Sequence, residues 1–456
     1  MSVSVSGQAV QQVNTLEDKI YGLSLLWSEI KYNFVNIDKL DFDVDRLYRE
    51  TMRRVIETES DAAYYEELET FLAAFNDGHT GMSYIPKWGR RSVPRFQSTQ
   101  YITYYIGGSF YFASYKMNSD ETDSDLLGAE ILEVEGMPAM EYAEKYVMPN
   151  IRTGSQWKKM FATGLQLLNG PAFAHRKGRA LRRDGRMVDF DVVCNRSATR
   201  SDHDLYWSPD GPTDFICAPN SFLYSCEWRG DTAIVAINSF DDMDNSELLP
   251  ALDSIMLHIK SRQPAALVID LRYNGGGDTE VAWRLQMHLT DADSILSFGA
   301  QSRSNLGYGR AQGNYREEYE DYFNYVSYET FPVEKVARDK NIVPIACPVA
   351  ILIGPYSFSA CEDFLINIYE IPGRPVLIGE CTAGSTGAPL VIDLPNEAKA
   401  RICTLRAMYP YSGKPFVGGI EPDIYVQQTI DDYLKGKDTV LETALTMLAL
   451  DIDLFN

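Results

Sequence analysis

Acyl-transfer chemistry needs a hydroxyl that attacks, an imidazole that takes its proton, and backbone amides that hold the developing negative charge. Three stretches of this chain offer them. The hydroxyl is Ser359, in Gly354-Pro355-Tyr356-Ser357-Phe358-Ser359-Ala360-Cys361-Glu362, which follows the apolar run VAILI and opens a helical pattern. A serine at a strand-to-helix junction stands at the carboxyl edge of a sheet, with the N–H of Ala360 beside it. A helix N-cap uses the same residue type at the same place, so the serine alone does not decide between capping and catalysis. The amides come from Asp270-Leu271-Arg272-Tyr273-Asn274-Gly275-Gly276-Gly277-Asp278, after the run ALVID. Its three consecutive glycines let the backbone approach closely and turn N–H groups toward an anion, although a tight turn would also use them. The imidazole is His79, in Asp77-Gly78-His79-Thr80. Of the five histidines it alone sits in a turn of conformationally special residues; His175 and His203 lie in polar stretches, and His258 and His288 within helical patterns.

The elements that must position these residues are legible in outline. From Thr15 to about Phe75 apolar residues recur at helical spacing, as in Leu23, Leu26, Ile30 and Phe34, which predicts about three helices closing on the His79 turn. Between Val93 and Cys194 short alternating runs separated by Gly-Gly and Asp-Gly predict hairpins. From Phe222 onward buried strands alternate with helical stretches, the pattern of βαβ units and a largely parallel sheet.

The bulk composition sets limits. At 456 residues, with 45% hydrophobic and 23% charged positions, the chain is long enough for two or three domains with ample core. A formal net charge of −22 argues against nucleic acid or an anionic membrane as partner. No apolar stretch reaches the length of a membrane span. The seven cysteines show no metal-ligand spacing and are expected to be buried structural residues, with Cys217 and Cys226 able to pair in an oxidising compartment. No metal or organic cofactor is called for. The start MSVSVSGQAVQQVNT lacks a basic segment followed by an apolar run, so no signal peptide is visible. A removed leader would leave the same picture: the compartment would be extracytoplasmic or periplasmic in that case and cytoplasmic otherwise.

Taken in order, DGHT, DLRYNGGG, SACE, LIGECTAGS and GGIEPDI resemble the C-terminal processing and tricorn-like serine peptidases, over about Ile216 to Val426 and more loosely before that. The resemblance implies an α+β multidomain protein. Residues 1–90 would be an N-terminal helical region ending in the DGHT turn, 91–200 a β-rich PDZ-like region, 201–220 a linker, and 221–456 an α/β catalytic domain of the ClpP/crotonase type. It implies Ser359 as nucleophile and the amides of Ala360 and Gly276 as the oxyanion hole. The processing branch takes a lysine base after its Gly-Glu-x-Thr segment, and here that segment reads Gly379-Glu380-Cys381-Thr382-Ala383-Gly384-Ser385 without one. The tricorn-like branch takes a histidine from the N-terminal part, matched by His79. Its orienting glutamate would fall near Phe416 or Val417; Glu421, ranked first, or Glu362 or Asp77 would have to stand in. The function implied is a serine endopeptidase or carboxyl-terminal processing peptidase acting through an acyl-enzyme on unstructured peptides or proteins. A peptide-binding protein that kept the fold and lost the activity is the alternative.

Overall fold

The computed structural model describes residues 13–86, 97–115, 126–171, 173–197, 224–241, 248–303 and 328–450. The expected linker over 201–220, with His203 and Cys217, lies outside them.

Helix α1 (Leu16–Asn33) starts at a capping box: the Thr15 hydroxyl accepts from the Asp18 N–H while the Asp18 carboxylate accepts from the Thr15 N–H. Helices α2 (Val44–Ile56) and α3 (Asp61–Ala73) start from Asp43 and Ser60 in the same capping role. Spacings of three and four bring Leu23, Leu26 and Ile30 onto one face of α1, where they pack wholly buried with Phe34, Leu68, Phe71 and Leu72. Burying each such side chain stabilises the fold by about 1.5–3 kcal/mol. That core is completed from far along the chain by Ile392, Leu394, Ala400 and Ile402. Their hairpin, Pro389–Asp393 with Lys399–Cys403, takes the short strand Gly81–Tyr84 as its third member, antiparallel to Lys399–Cys403. The helical region therefore shares its core with a hairpin from the C-terminal half of the chain.

The middle of the chain forms an antiparallel sheet in the order Tyr101–Ile106, Ser109–Tyr115, Glu130–Val134, His175–Leu181, Met187–Val193, with Met137–Pro138 beside the third strand. The Gly107-Gly108 turn of its first hairpin has φ values of 57° and 94°, which glycine adopts without steric cost. Helix α4 (Gln156–Gln166) crosses the first strand at Gly164, where a β-carbon would stand 2.4 Å from the Tyr105 nitrogen.

The largest layer is a six-stranded sheet in the order Tyr224–Arg229, Thr232–Ile237, Ala266–Asp270, Val349–Ile353, Val376–Gly379, Ile424–Tyr425. The first pair is antiparallel and all later pairs are parallel. Leu267, Val268 and Ile269 are all fully buried, as expected for a strand covered on both faces. One face carries α5 (Leu248–Ser261), α6 (Thr279–His288) and α7 (Ala360–Tyr369); the other carries α8 (Thr439–Ala449). Arg272 ties the end of Ala266–Asp270 to the start of α8, bonding Asp270 at 2.7 Å and Asp438 at 2.6 Å. The architecture is a mixed α/β multidomain assembly of helices and several sheets.

Candidate active site

Ser359 stands where Val349–Ile353 has left the sheet and α7 begins, in a backbone conformation of φ 57° and ψ −126°. A non-glycine residue there is strained by on the order of 1–3 kcal/mol, so neighbouring bonds must hold it. They come from both sides: the Phe358 N–H donates to Asn274 O at 2.9 Å, Ser357 Oγ donates to Leu271 O at 2.8 Å, and the Ser359 N–H donates to Ser385 O at 3.3 Å. The Ser359 hydroxyl does not cap α7. It points to His79, whose Nε2 lies 3.1 Å from Ser359 Oγ.

His79 is fixed by its own turn. Asp77 Oδ1 accepts from the His79 N–H at 2.9 Å and from Thr80 Oγ1 at 3.0 Å, and Thr80 Oγ1 in turn accepts from the Cys403 N–H at 3.1 Å. The imidazole stacks on Phe358, with centroids 4.6 Å apart and planes within 15°. Its Nδ1 lies 2.9 Å from Ser385 Oγ, and that hydroxyl donates to Asp77 Oδ2 at 3.2 Å. A serine hydroxyl has one proton to give. Because Ser385 gives it to Asp77, it accepts from His79 Nδ1–H, which leaves Nε2 with a free lone pair facing Ser359. Hydroxyl, imidazole, second hydroxyl and carboxylate thus form one chain, in the tautomer a general base requires. Burial, and then the positive charge of Arg401, lower the His79 pKa to about 4, so the ring is neutral at ordinary pH. Burial raises the Asp77 pKa, against the bonds from Thr80, His79 and Ser385.

Glu362, fully buried in the first turn of α7, holds the segment that carries Ser385. Its Oε1 accepts from the Gly384 N–H at 2.7 Å and from Thr382 Oγ1 at 2.5 Å, and its Oε2 accepts from the Ser385 N–H at 3.0 Å. Burial pushes its pKa up to about 7 in spite of those donors.

Of the two amides expected to hold an oxyanion, that of Ala360 has no hydrogen-bond acceptor among the described residues. Gly276 lies against Ser359, so close that a β-carbon on it would stand 2.6 Å from Ser359 Cβ and 2.7 Å from the Ala360 nitrogen. Its N–H, however, donates to Asn274 Oδ1 at 2.9 Å. The next amide, that of Gly277, has no acceptor among the described residues, while the Gly276 carbonyl accepts from the Phe240 N–H on the opposite side.

Ser359, His79, Ala360 and Gly276 are therefore brought together, across 280 residues of sequence in the case of the first pair. Glu421 is not among them. Its side chain is exposed, and His79 Nδ1 is bonded to Ser385 instead. Of the other two stand-ins, Asp77 reaches the ring through Ser385, and Glu362 holds Ser385 from behind. Sequence reasoning read the Thr-Ala-Gly-Ser stretch only for its missing lysine and passed over the serine that ends it. Its place directly after the buried strand Val376–Gly379, parallel to the strand preceding Ser359, was the available signal. The described cysteines Cys194, Cys226, Cys347, Cys361, Cys381 and Cys403 are all free thiols.

Residues 231–426 match the family model of Peptidase family S41. Among solved structures the chain is similar to mature CPAF, at 16% identity and a TM-score of 0.69, covering 97% of this chain and 99% of that one. It is also similar to a putative peptidase from Parabacteroides merdae, at 17% identity and a TM-score of 0.51, covering 95% and 97%. At these identities the two structures share the fold. No curated protein sequence matches the chain.

Proposed function

We infer that this chain, whose residues 231–426 match the model of peptidase family S41, is a serine peptidase in which Ser359 is the nucleophile and His79 its base. The observation that carries the reading is the unbroken series Ser359 Oγ, His79 Nε2, His79 Nδ1, Ser385 Oγ, Asp77 Oδ2, with steps of 3.1, 2.9 and 3.2 Å between side chains. Ser359 Oγ attacks the scissile carbonyl carbon while His79 Nε2 takes its proton. The imidazolium that forms keeps its Nδ1–H on Ser385, and Asp77 stabilises it through that hydroxyl. The oxyanion meets the Ala360 N–H, joined by the Gly276-Gly277 backbone; the Gly276 N–H contributes by sharing or leaving its bond to Asn274. Collapse passes the proton from Nε2 to the leaving amine and leaves an ester on Ser359. A water then gives its proton to His79, attacks the ester and releases the acid, restoring the hydroxyl.

Substrates would be unstructured peptide or protein segments, because an extended backbone leaves its scissile carbonyl free to be aligned beside Ser359. The antiparallel middle region, PDZ-like in its strand, Glu135-Gly136 turn and following helix, would present them by strand addition. The catalytic layer would be of the ClpP/crotonase type. The assembled Ser359–His79 pair favours the peptidase over a peptide binder that has lost activity. Incubation of the protein and its Ser359→Ala variant with unfolded casein and a fluorophosphonate probe tests this. Cleavage and covalent labelling by the parent, both absent in the variant, are expected; equal behaviour of the two would remove Ser359 as nucleophile.

A further inference from the structure

Apart from the series that joins Ser359 to Asp77, the carboxyl ends of four neighbouring strands of the large sheet border a cavity that the mechanism leaves unused. Arg272 follows Ala266–Asp270, Gly354 and Tyr356 follow Val349–Ile353, Glu380 follows Val376–Gly379, and Gln427 follows Ile424–Tyr425. Parallel sheets take their ligands at this edge. The middle region supplies the roof, with Tyr104 and Tyr105 from the strand Tyr101–Ile106 and Phe161 from α4. The enclosed space is about 40 Å³. One water needs at least about 10–15 Å³, so the cavity takes a few waters or a ligand group of similar size. With its mouth included the unfilled space is about 500 Å³, so solvent reaches it.

Two polar groups in its walls have bonding capacity that the described residues leave unused. The Tyr104 side chain is 1% exposed, and its hydroxyl makes no hydrogen bond with any described residue. A buried hydroxyl left so is costly, and a partner in the cavity would offset that cost. Glu380, half-buried, accepts one side-chain bond, from Gln427 Nε2 at 2.8 Å, and forms no ion pair with a described residue. A carboxylate has about four acceptor sites. Burial pushes its pKa up to about 7 in spite of Gln427, and a cation beside it would hold it charged. The other charges close by are engaged elsewhere. Arg272 is bonded to Asp270 and Asp438. The Lys158 ammonium lies over the outer wall, 3.9 Å from the centroid of the Tyr356 ring, and pairs with no described carboxylate. The cavity's own charge is therefore that of Glu380, set among aromatic rings that attract cations, in a chain of net charge −22.

We propose that this cavity is a binding site for a primary ammonium group, which donates one N–H to Glu380 and a second to the Tyr104 hydroxyl among the rings of Tyr105, Phe161 and Tyr356. A small free amine and the side chain of a lysine in a bound protein segment carry the same group. The site goes beyond the peptidase reading and does not depend on Ser359 being a nucleophile. Its walls lead to the catalytic residues all the same: Tyr356 stands three positions before Ser359, and Glu380 five before Ser385. Gln427, which donates to Glu380, also accepts from the Gly107 N–H at 2.8 Å, in the first hairpin of the middle sheet. An occupied cavity therefore bears on the Ser359 segment, the Ser385 segment and the middle region at once.

The probe is methylammonium chloride, titrated at constant ionic strength and followed by saturation-transfer NMR. Tetramethylammonium, which carries the charge without an N–H, and ethanol, which fits without the charge, are the controls. Methylammonium should bind saturably and both controls at least about tenfold more weakly, since neither can form the charge-assisted bond. Glu380→Gln should weaken methylammonium about tenfold to a hundredfold, as loss of a charge-assisted bond gives, and Tyr104→Phe about threefold to tenfold, as loss of a neutral one gives. Tyr104→Phe removes a hydroxyl that has no partner, so its Tm should hold, which keeps the test decisive if Glu380→Gln folds poorly. A fluorescein-labelled flexible peptide with one lysine, compared by anisotropy with its norleucine counterpart on the Ser359→Ala protein, tells the two sources apart. Tighter binding of the lysine form, lost in Glu380→Gln, assigns the site to a bound segment. Equal binding of the two peptides while methylammonium saturates assigns it to a free amine. No saturable methylammonium binding, binding matched by either control, or binding that survives Glu380→Gln overturns the proposal. Failure of Ser359 to label or to cleave falls on the peptidase reading alone and leaves these results standing.

Discussion

A carboxylate that reaches its histidine through a hydroxyl does two jobs through one proton: it sets the tautomer and it shares the imidazolium charge at longer range. Ser385→Ala removes the link but leaves Asp77 fixed by its own turn, so kcat should drop roughly tenfold to a hundredfold with a smaller change in KM. Asp77→Asn goes further, because an amide can donate to Ser385 and turn its proton toward His79, favouring the wrong tautomer; a loss on the order of 10²–10⁴ in kcat is expected. Steady-state kinetics on a cleavable peptide separate the two. With the His79 pKa lowered to about 4, the ring keeps its lone pair well below the usual histidine range. The rate of Ser359 labelling should therefore hold as pH falls through 6.5 and decline only toward 4, and a midpoint near 6.5 would contradict the buried setting of His79. Ser359 and His79 could be singled out because five motifs stand together in one order along the chain, although each motif taken alone has an ordinary structural use. Ser385 was not, since a serine after a glycine is ordinary turn chemistry until its spatial neighbours are known, and Glu421 was preferred over Asp77 only because nothing in one dimension ranks carboxylates by distance.

The elements that carry these residues depend on close approaches that only glycine permits. Gly154, just before α4, touches the segment holding Ser385, and a β-carbon on it would stand 1.8 Å from Gly384 O. Around that contact Ser155 Oγ donates to Thr382 O at 2.9 Å and Thr153 Oγ1 to Ala383 O at 3.2 Å. Gly154→Ala must push the two backbones apart, and because the rest of α4 packs elsewhere the damage should be local. Labelling of Ser359 is expected to fall at least tenfold with Tm lowered by only a few degrees, as a loss of about 1–3 kcal/mol from overpacking would give. Activity intact in this variant would mean that the Ser385 segment is not held from this side. The helices of the first region and the βαβ run of the last could be read from spacing alone, since period 3.6 and buried apolar runs are local signals. The hairpin Pro389–Asp393 with Lys399–Cys403 could not be assigned to the helical core, because nothing local in it says which distant surface it covers.

At the scale of the whole molecule, burial has been imposed on several carboxylates at once. It raises the pKa of Glu362, Asp363 and Glu380 each to about 7, with the charge of Glu362 adding to the effect on Asp363. A carboxyl whose folded pKa lies above its unfolded value binds more protons when folded, so its contribution to stability is lost as pH rises from the unfolded pKa through the folded one. His79 runs the other way: its folded pKa lies below the unfolded value, so its contribution grows between about 4 and 6.5. Three groups outweigh one, and Tm should fall as pH is raised from about 5 to 7.5. Glu362→Gln should flatten the slope, which a melting series in matched ionic strength would show. The arrangement of the whole was the part least visible in the sequence, because it is set by pairings between stretches hundreds of residues apart. The strand that follows His79 is paired to Lys399–Cys403, and Ser385 lies later than Ser359. A ribosome must therefore deliver the chain through Cys403 before His79, Ser359 and Ser385 can meet, and a half-made copy, whose own unfolded segments would be natural prey, does not yet hold the assembled site.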